Sequence, residues 1–224
     1  MGKDNQPKVR QATQLVRKVG RRAGYSRILI VSEGSKTEPL YFGEIRTKYR
    51  LHTANVQVQP SQLGTTPLQV VEYAEHLFVN GDEVRNIQPR AFEQVYAVID
   101  RDDHATYHNA LSKAAAWNNK LRNDLNKRVD FSAIASVPCF ELWLLLHFES
   151  ILAPLHRTAV YQRLKQYLPE YDKGQAGYYA KTCQHLDIAT QRAKHLAQLT
   201  TAHNGVEPYT DLYRLVHRLT TLKT

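Results

Sequence analysis

Residues 95–104 read VYAVIDRDDH, and the fold turns on why an apolar run should end in Asp100, Asp102 and Asp103. Residues 94–99 have the length of a strand buried on both faces. Drying several like charges at the end of such a strand is costly, so the acids need a reason to be there. A parallel sheet supplies one, because the loops that follow its strands gather on one edge, where such folds bind ligands.

Working outward, residues 27–31 (RILIV) form a second apolar strand, followed by the polar loop SEGSKTEP. Leu40, Tyr41, Ile45 and Tyr49 recur at helical spacing, predicting a helix over 38–51 with Ser35 or Thr37 as N-cap. Residues 55–59 (NVQVQ) alternate as a half-exposed strand does, and 67–79 return to helical spacing. After the breaker Asn80-Gly81-Asp82 and the strand 94–99 come an Ala-rich helix over 105–125, a strand over 131–137 and a very apolar helix over 139–148. Strand and helix alternate four times, with crossovers long enough to join parallel neighbours. The predicted class is α/β, a mostly parallel central sheet flanked by helices. From residue 153 the pattern is helical only, over 158–168, 178–200 and 209–222. The expected organisation is a basic extension over 1–26, an α/β core over 27–152 and a helical C-terminal region over 153–224.

The chain has 224 residues, and 30 Lys and Arg against 21 Asp and Glu leave a net charge of +9. That balance favours polyanionic partners such as nucleic acid. Seven of the basic residues, Arg21 and Arg22 among them, precede the first strand, a tail suited either to phosphates or to plain solvation. No stretch of about 18 apolar residues is present to span a bilayer, so no membrane association is expected. The polar N-terminus does not read as a secretory signal, and two isolated cysteines form no disulfide framework, which together predict a cytoplasmic protein.

Four carboxylates fall just past strand ends: Glu33, Asp100, Asp102 and Glu141. Asp100 and Asp102, two apart in extended chain, point to one side. Acids gathered on one rim need a cation, and an all-oxygen set suits Mg²⁺ or Mn²⁺. Glu141 is the only charge between Phe131 and Leu146, so it needs a metal or a basic partner. Other acids have simpler explanations: Asp103 as a cap for the following helix, Glu38 as a favourable charge at a helix N-terminus. His104 and His108 have zinc-chelating spacing without a third ligand and read as helix surface. Gly34-Ser35-Lys36 lacks the rest of a phosphate loop, though Lys36 is placed to meet a phosphate. Tyr171, Tyr178 and Tyr179 with Lys173 and Lys181 suit base stacking and phosphate contact as well as they suit helix packing.

A strand ending in Glu (ILIVSEG) and a later one ending in Asp-x-Asp (AVIDRD) together resemble the Toprim module of topoisomerases, primases and old-type nucleases. With PCFELWLLLHF, YDK and EPYTDLYRLVHRL, the set is similar to the RloB family of prokaryotic phage-defence proteins over residues 27–219. The resemblance implies a Toprim-like, metal-dependent fold, with Glu33 matching the Toprim glutamate and Asp100 and Asp102 its Asp-x-Asp pair. It also implies a role at defence loci beside an ATPase partner protein, and cleavage of tRNA, other RNA or DNA. On that reading Asp100 and Asp102 hold the metal, Glu33 is general base or a further ligand, and Glu141 completes the site. Lys36 and Arg101 offset charge on phosphate oxygens, and a homodimer is the default assembly. A haloacid-dehalogenase-like phosphatase also uses Asp-x-Asp, but after its first strand. A noncatalytic binder of nucleic acid or an ATPase is the other alternative.

Overall fold

The structure is a computed structural model and describes residues 25–223. Its centre is a five-stranded sheet in the order β2-β1-β3-β4-β5, from β1 (Ile28–Ser32), β2 (Val56–Pro60), β3 (Gln94–Asp100), β4 (Asp130–Val137) and β5 (Tyr209–Thr210). β1 pairs in parallel with β2 and β3, β3 in parallel with β4, and β5 runs antiparallel to β4. The expected mostly parallel α/β architecture is therefore present.

Side-chain alternation explains why β1 and β3 read as unbroken apolar runs. Leu29, Val31, Val95, Ala97 and Ile99 face one layer, built by α2 (Pro67–Asn80) and α3 (Tyr107–Trp117). Ile28, Ile30, Tyr96 and Val98 face the other, which holds Tyr41, Phe42 and Ile45 of α1 (Thr37–Lys48). Both faces are covered, so neither set of alternating positions is polar. β2 lies at the sheet edge and keeps the half-exposed pattern expected of it.

The second layer is completed by the C-terminal third. Trp143 of α4 (Glu141–Leu145), Leu164 of α5 (Arg157–Tyr167) and Tyr179 of α6 (Tyr178–Thr182) join one apolar cluster with α1. Leu196 of α7 (Leu186–Leu199) and Leu215 of α8 (Leu212–Thr220) belong to the same cluster. Trp143 Nε1 donates to the Tyr41 hydroxyl at 2.7 Å inside it. Tyr41→Phe is expected to orphan that indole N–H and cost about 1–3 kcal/mol, read as a lower denaturant midpoint at unchanged slope.

Four local expectations need correction. Neither Ser35 nor Thr37 is the N-cap of α1; that position is Lys36, with no side-chain cap bond. The Ala-rich helix stops at Trp117, not residue 125, because asparagine side chains compete for the backbone. Asn118 Oδ1 accepts from Phe131 N at 3.2 Å, and Asn123 Oδ1 accepts from Leu125 N at 3.0 Å and Lys127 N at 2.9 Å. The apolar helix over 139–148 shortens to Glu141–Leu145. Residues 209 and 210 are strand, not helix: Tyr209 pairs with Val137 and Thr210 with Ser136, covering the β4 edge. Among the described residues, no helix is long and apolar enough to cross a membrane.

Candidate cation site

The chain leaves β1 toward β2 on one side and returns to β3 on the other, so the crevice of the sheet lies past the ends of β1 and β3. Ser32 is in register with Val98, which puts Glu33 beside the last residues of β3. Asp100 N donates to Glu33 Oε2 at 3.3 Å. Pairing with β4 continues past the strand: Arg101 N donates to Ser136 O at 2.9 Å and Asp102 N to Pro138 O at 3.0 Å. These bonds hold the Asp-x-Asp turn, in which Asp102 takes a positive φ of 37°.

The result is a cleft of about 480 Å³ lined by five carboxylates, Glu33, Glu38, Asp100, Asp102 and Glu141, against two lysines, Lys36 and Lys173. Burial raises Glu33 to about 7, with added repulsion from Glu38 and Asp102. Burial, with Glu141 nearby, raises Glu38 to about 7 as well. Asp100 is pushed well above the usual carboxylate range by burial and then by Glu38, Glu33 and Glu141. Such crowding is what a bound cation relieves.

The donor atoms fit a hard cation. Asp102 Oδ1 and Glu141 Oε2 are buried and have no hydrogen-bond partner among the described residues, and the Ser61 hydroxyl in the same cleft is in the same position. Buried carboxylate oxygens are rarely left so, because each forfeits its hydration without replacement. No thiolate lines the cleft, and oxygen donors suit Mg²⁺ or Mn²⁺ over softer metals. Ligand atoms of Glu33, Asp102 and His104 lie within 4.8 Å of one another.

His104, expected on a helix surface, is placed instead among the atoms that could hold a cation. Its Nε2 is 3.6 Å from Glu33 Oε1. Asp103 is exposed and caps nothing, since α3 begins at Tyr107 with no side-chain cap bond. Glu38 is also more than a favourable charge at a helix start. It is buried at 6% exposure and folds back under Gly34, where a β-carbon would lie 1.9 Å from Glu38 Oε2. Gly34→Ala is expected to displace that carboxylate and cost about 1–2 kcal/mol, and shortening Glu38 to Ala in the same chain should recover much of it in a double-mutant cycle.

Glu141 has the basic partner its burial demanded. Tyr171 donates to its Oε1 at 2.6 Å, and Lys173 Nζ is 3.6 Å from the same oxygen. Burial alone would lower Lys173, but the attraction of Glu141, Asp100 and Glu38 raises it overall. Lys173 also lies 4.7 Å over the Tyr161 ring, so it reaches the cleft as a fixed cation. Base stacking by Tyr171, Tyr178 and Tyr179 is ruled out as the reading of this segment, because all three are buried at 4%, 2% and 1% exposure. Lys181 sits 4.0 Å from Glu170 and does not line the cleft. Arg101 is 3.8 Å from Glu207 and also lies outside the lining, whereas Arg157 binds Asp102 Oδ2 at 3.0 Å. Arg21 and Arg22 lie outside the described residues.

A carboxylate cleft at the switch point of a mostly parallel sheet defines an α/β protein with a candidate cation site. The family model of the RloB-like proteins matches residues 28–219, and the chain belongs to that family. Comparison with curated proteins finds no match, and comparison with solved structures finds none.

Proposed function

We propose that this protein is a divalent-cation-dependent nuclease, hydrolysing phosphodiester bonds of RNA, tRNA among them, or of DNA, as an effector of antiphage defence. The observation that carries the reading is the convergence of strand-end carboxylates with two unpartnered oxygens, Asp102 Oδ1 and Glu141 Oε2, in one cleft. Membership of the RloB-like family supports the defence role, and the charge of +9 supports a polyanionic substrate.

Glu33, Asp100 and Asp102 are the residues that would hold Mg²⁺ or Mn²⁺, with His104 and Glu141 completing the surround. The cation would polarise the scissile phosphate and ease ionisation of water. Glu33 Oε1 and His104 Nε2, 3.6 Å apart, are placed to accept the proton given up by that water. Lys36 and Lys173 line the same cleft and offset charge on the phosphate oxygens. Tyr171 orients Glu141 through its 2.6 Å bond and keeps that carboxylate aimed inward. An ATPase partner and a homodimeric assembly belong to the same proposal, resting on the family resemblance alone.

The test is incubation of the purified chain with tRNA, single-stranded RNA, single-stranded DNA and duplex DNA, each with Mg²⁺, Mn²⁺ or chelator, beside Glu33→Gln. Products that require the cation and vanish in the folded variant are expected. Tight nucleic-acid binding without any cleavage, unchanged by chelator and by Glu33→Gln, would instead identify a noncatalytic binding protein.

A further inference from the structure

A second hollow, of about 440 Å³, has the opposite character to the acidic cleft and no part in the function proposed above. Lys194 of α7 and Arg214, His217 and Arg218 of α8 converge on it, and no acidic residue lines it. Tyr96 of β3 and Tyr213 of α8 also line it. Tyr96 lies four residues before Asp100 on the same strand, roughly 13 Å along it, so the two sites are separate.

We propose that this hollow is a nucleotide-binding site, in which Lys194, Arg214 and Arg218 hold phosphate and the Tyr213 ring stacks on the base. The charges there are largely uncompensated. Arg218 is oriented by two neutral acceptors, Gln94 Oε1 at 2.8 Å and Ser26 Oγ at 2.9 Å, which fix its position without neutralising it. Lys194 has no acidic partner among the described residues, and Arg214 has only Asp211 at 3.5 Å, an acid already accepting from Ala135 N at 2.7 Å.

Independent support comes from Tyr96. The residue is only 7% exposed and lines the hollow, and its hydroxyl makes no hydrogen bond among the described residues. Burial, with the charge of Asp130 and against those of Arg218 and Arg214, holds this hydroxyl at about 12, so it is a donor at neutral pH. A donor with no protein acceptor, open to a hollow lined by cations, suits a phosphate or ribose oxygen. The helix dipole accounts for His217 and Arg218 in the last turn of α8, but not for Lys194 on another helix or Tyr96 on the sheet. Half-buried Tyr213 supplies a stacking surface of the kind bases use, and the volume is that of a small-molecule site.

Calorimetric titration of the full chain in EDTA with AMP, ATP, inorganic phosphate and a short oligoribonucleotide tests this. Saturable binding of AMP or ATP is expected, weaker for phosphate, at least about tenfold weaker in Lys194→Glu and weakened in Tyr96→Phe, but unaltered in Asp100→Asn. Tyr96→Phe keeps the core filled, and thermal melting establishes that both variants fold. Binding confined to the oligoribonucleotide, still lost in Lys194→Glu, would make the nucleotide part of a strand and supports the same site. Absence of binding by every probe, or affinity indifferent to both Lys194→Glu and Tyr96→Phe, overturns the proposal.

Discussion

Asp100→Asn is expected to melt at a higher temperature than the parent protein at pH 8 in chelator, while losing roughly 10²-fold or more of the cation-dependent cleavage rate. Both effects have one origin. Asp100 is buried against Glu38, Glu33 and Glu141, and these neighbours with burial push its carboxyl well above its ordinary range. Asn keeps the shape and removes the charge, so the crowded state no longer has to be maintained without a cation. The site sacrifices stability for function, a trade that active sites often show. Thermal melts and cleavage rates measured on the same preparations decide it: a variant that melts lower, or cleaves at the parental rate, contradicts the assignment of Asp100.

Without divalent cations the protein is expected to lose stability as pH rises from 6.5 to 8.5, and addition of Mg²⁺ or Mn²⁺ to restore more of it at pH 8.5 than at pH 6.5. Glu33 and Glu38 titrate near 7 when folded, against the ordinary 4.5 expected for the unfolded chain. Between those values the folded protein holds more protons than the unfolded one, so its stability falls with rising pH and levels off above about 7. Asp100 acts in the same direction. His147 acts oppositely: burial lowers it from 6.5 to about 4, so its contribution rises with pH and is complete by about 6.5. Above that pH the cleft carboxylates dominate, with a combined loss on the order of 2 kcal/mol. A cation binds the ionised carboxylates and stabilises by mass action, which makes its effect largest where they are ionised. Equal melting temperatures across this range, or a cation effect that shrinks at high pH, would contradict the cleft as described.

Much of this was legible in the chain. The apolar runs at residues 27–31 and 94–99 announced strands buried on both faces, and acids at strand ends pointed to one rim. Glu33, Asp100, Asp102 and Glu141 all line the cleft, as that reasoning anticipated. Strand order was not legible, because it depends on which crossovers pack on which face. Glu38 was hidden by a sufficient local explanation, since a Glu in the first turn of a helix needs no other reason. Gly34 held the missing signal: it leaves room for the Glu38 carboxylate to turn back into the cleft. His104 was obscured by its i+4 partner His108, which suggested a helical pair where the structure has a turn preceding α3. The segment containing Tyr171, Tyr178 and Tyr179 was ambiguous because aromatic and basic residues serve burial and nucleic-acid contact alike. Only the packing against Tyr41 and Glu141 separates the two.

The central claim is that the cleft between β1 and β3 holds a divalent cation. Diffraction from crystals soaked in Mn²⁺, collected for its anomalous signal, tests it most directly. A Mn²⁺ peak among the carboxylates of Glu33, Asp100 and Asp102, lost in Asp100→Asn crystals, is the predicted result. Crystals whose anomalous peaks avoid this cleft at millimolar Mn²⁺ would contradict it.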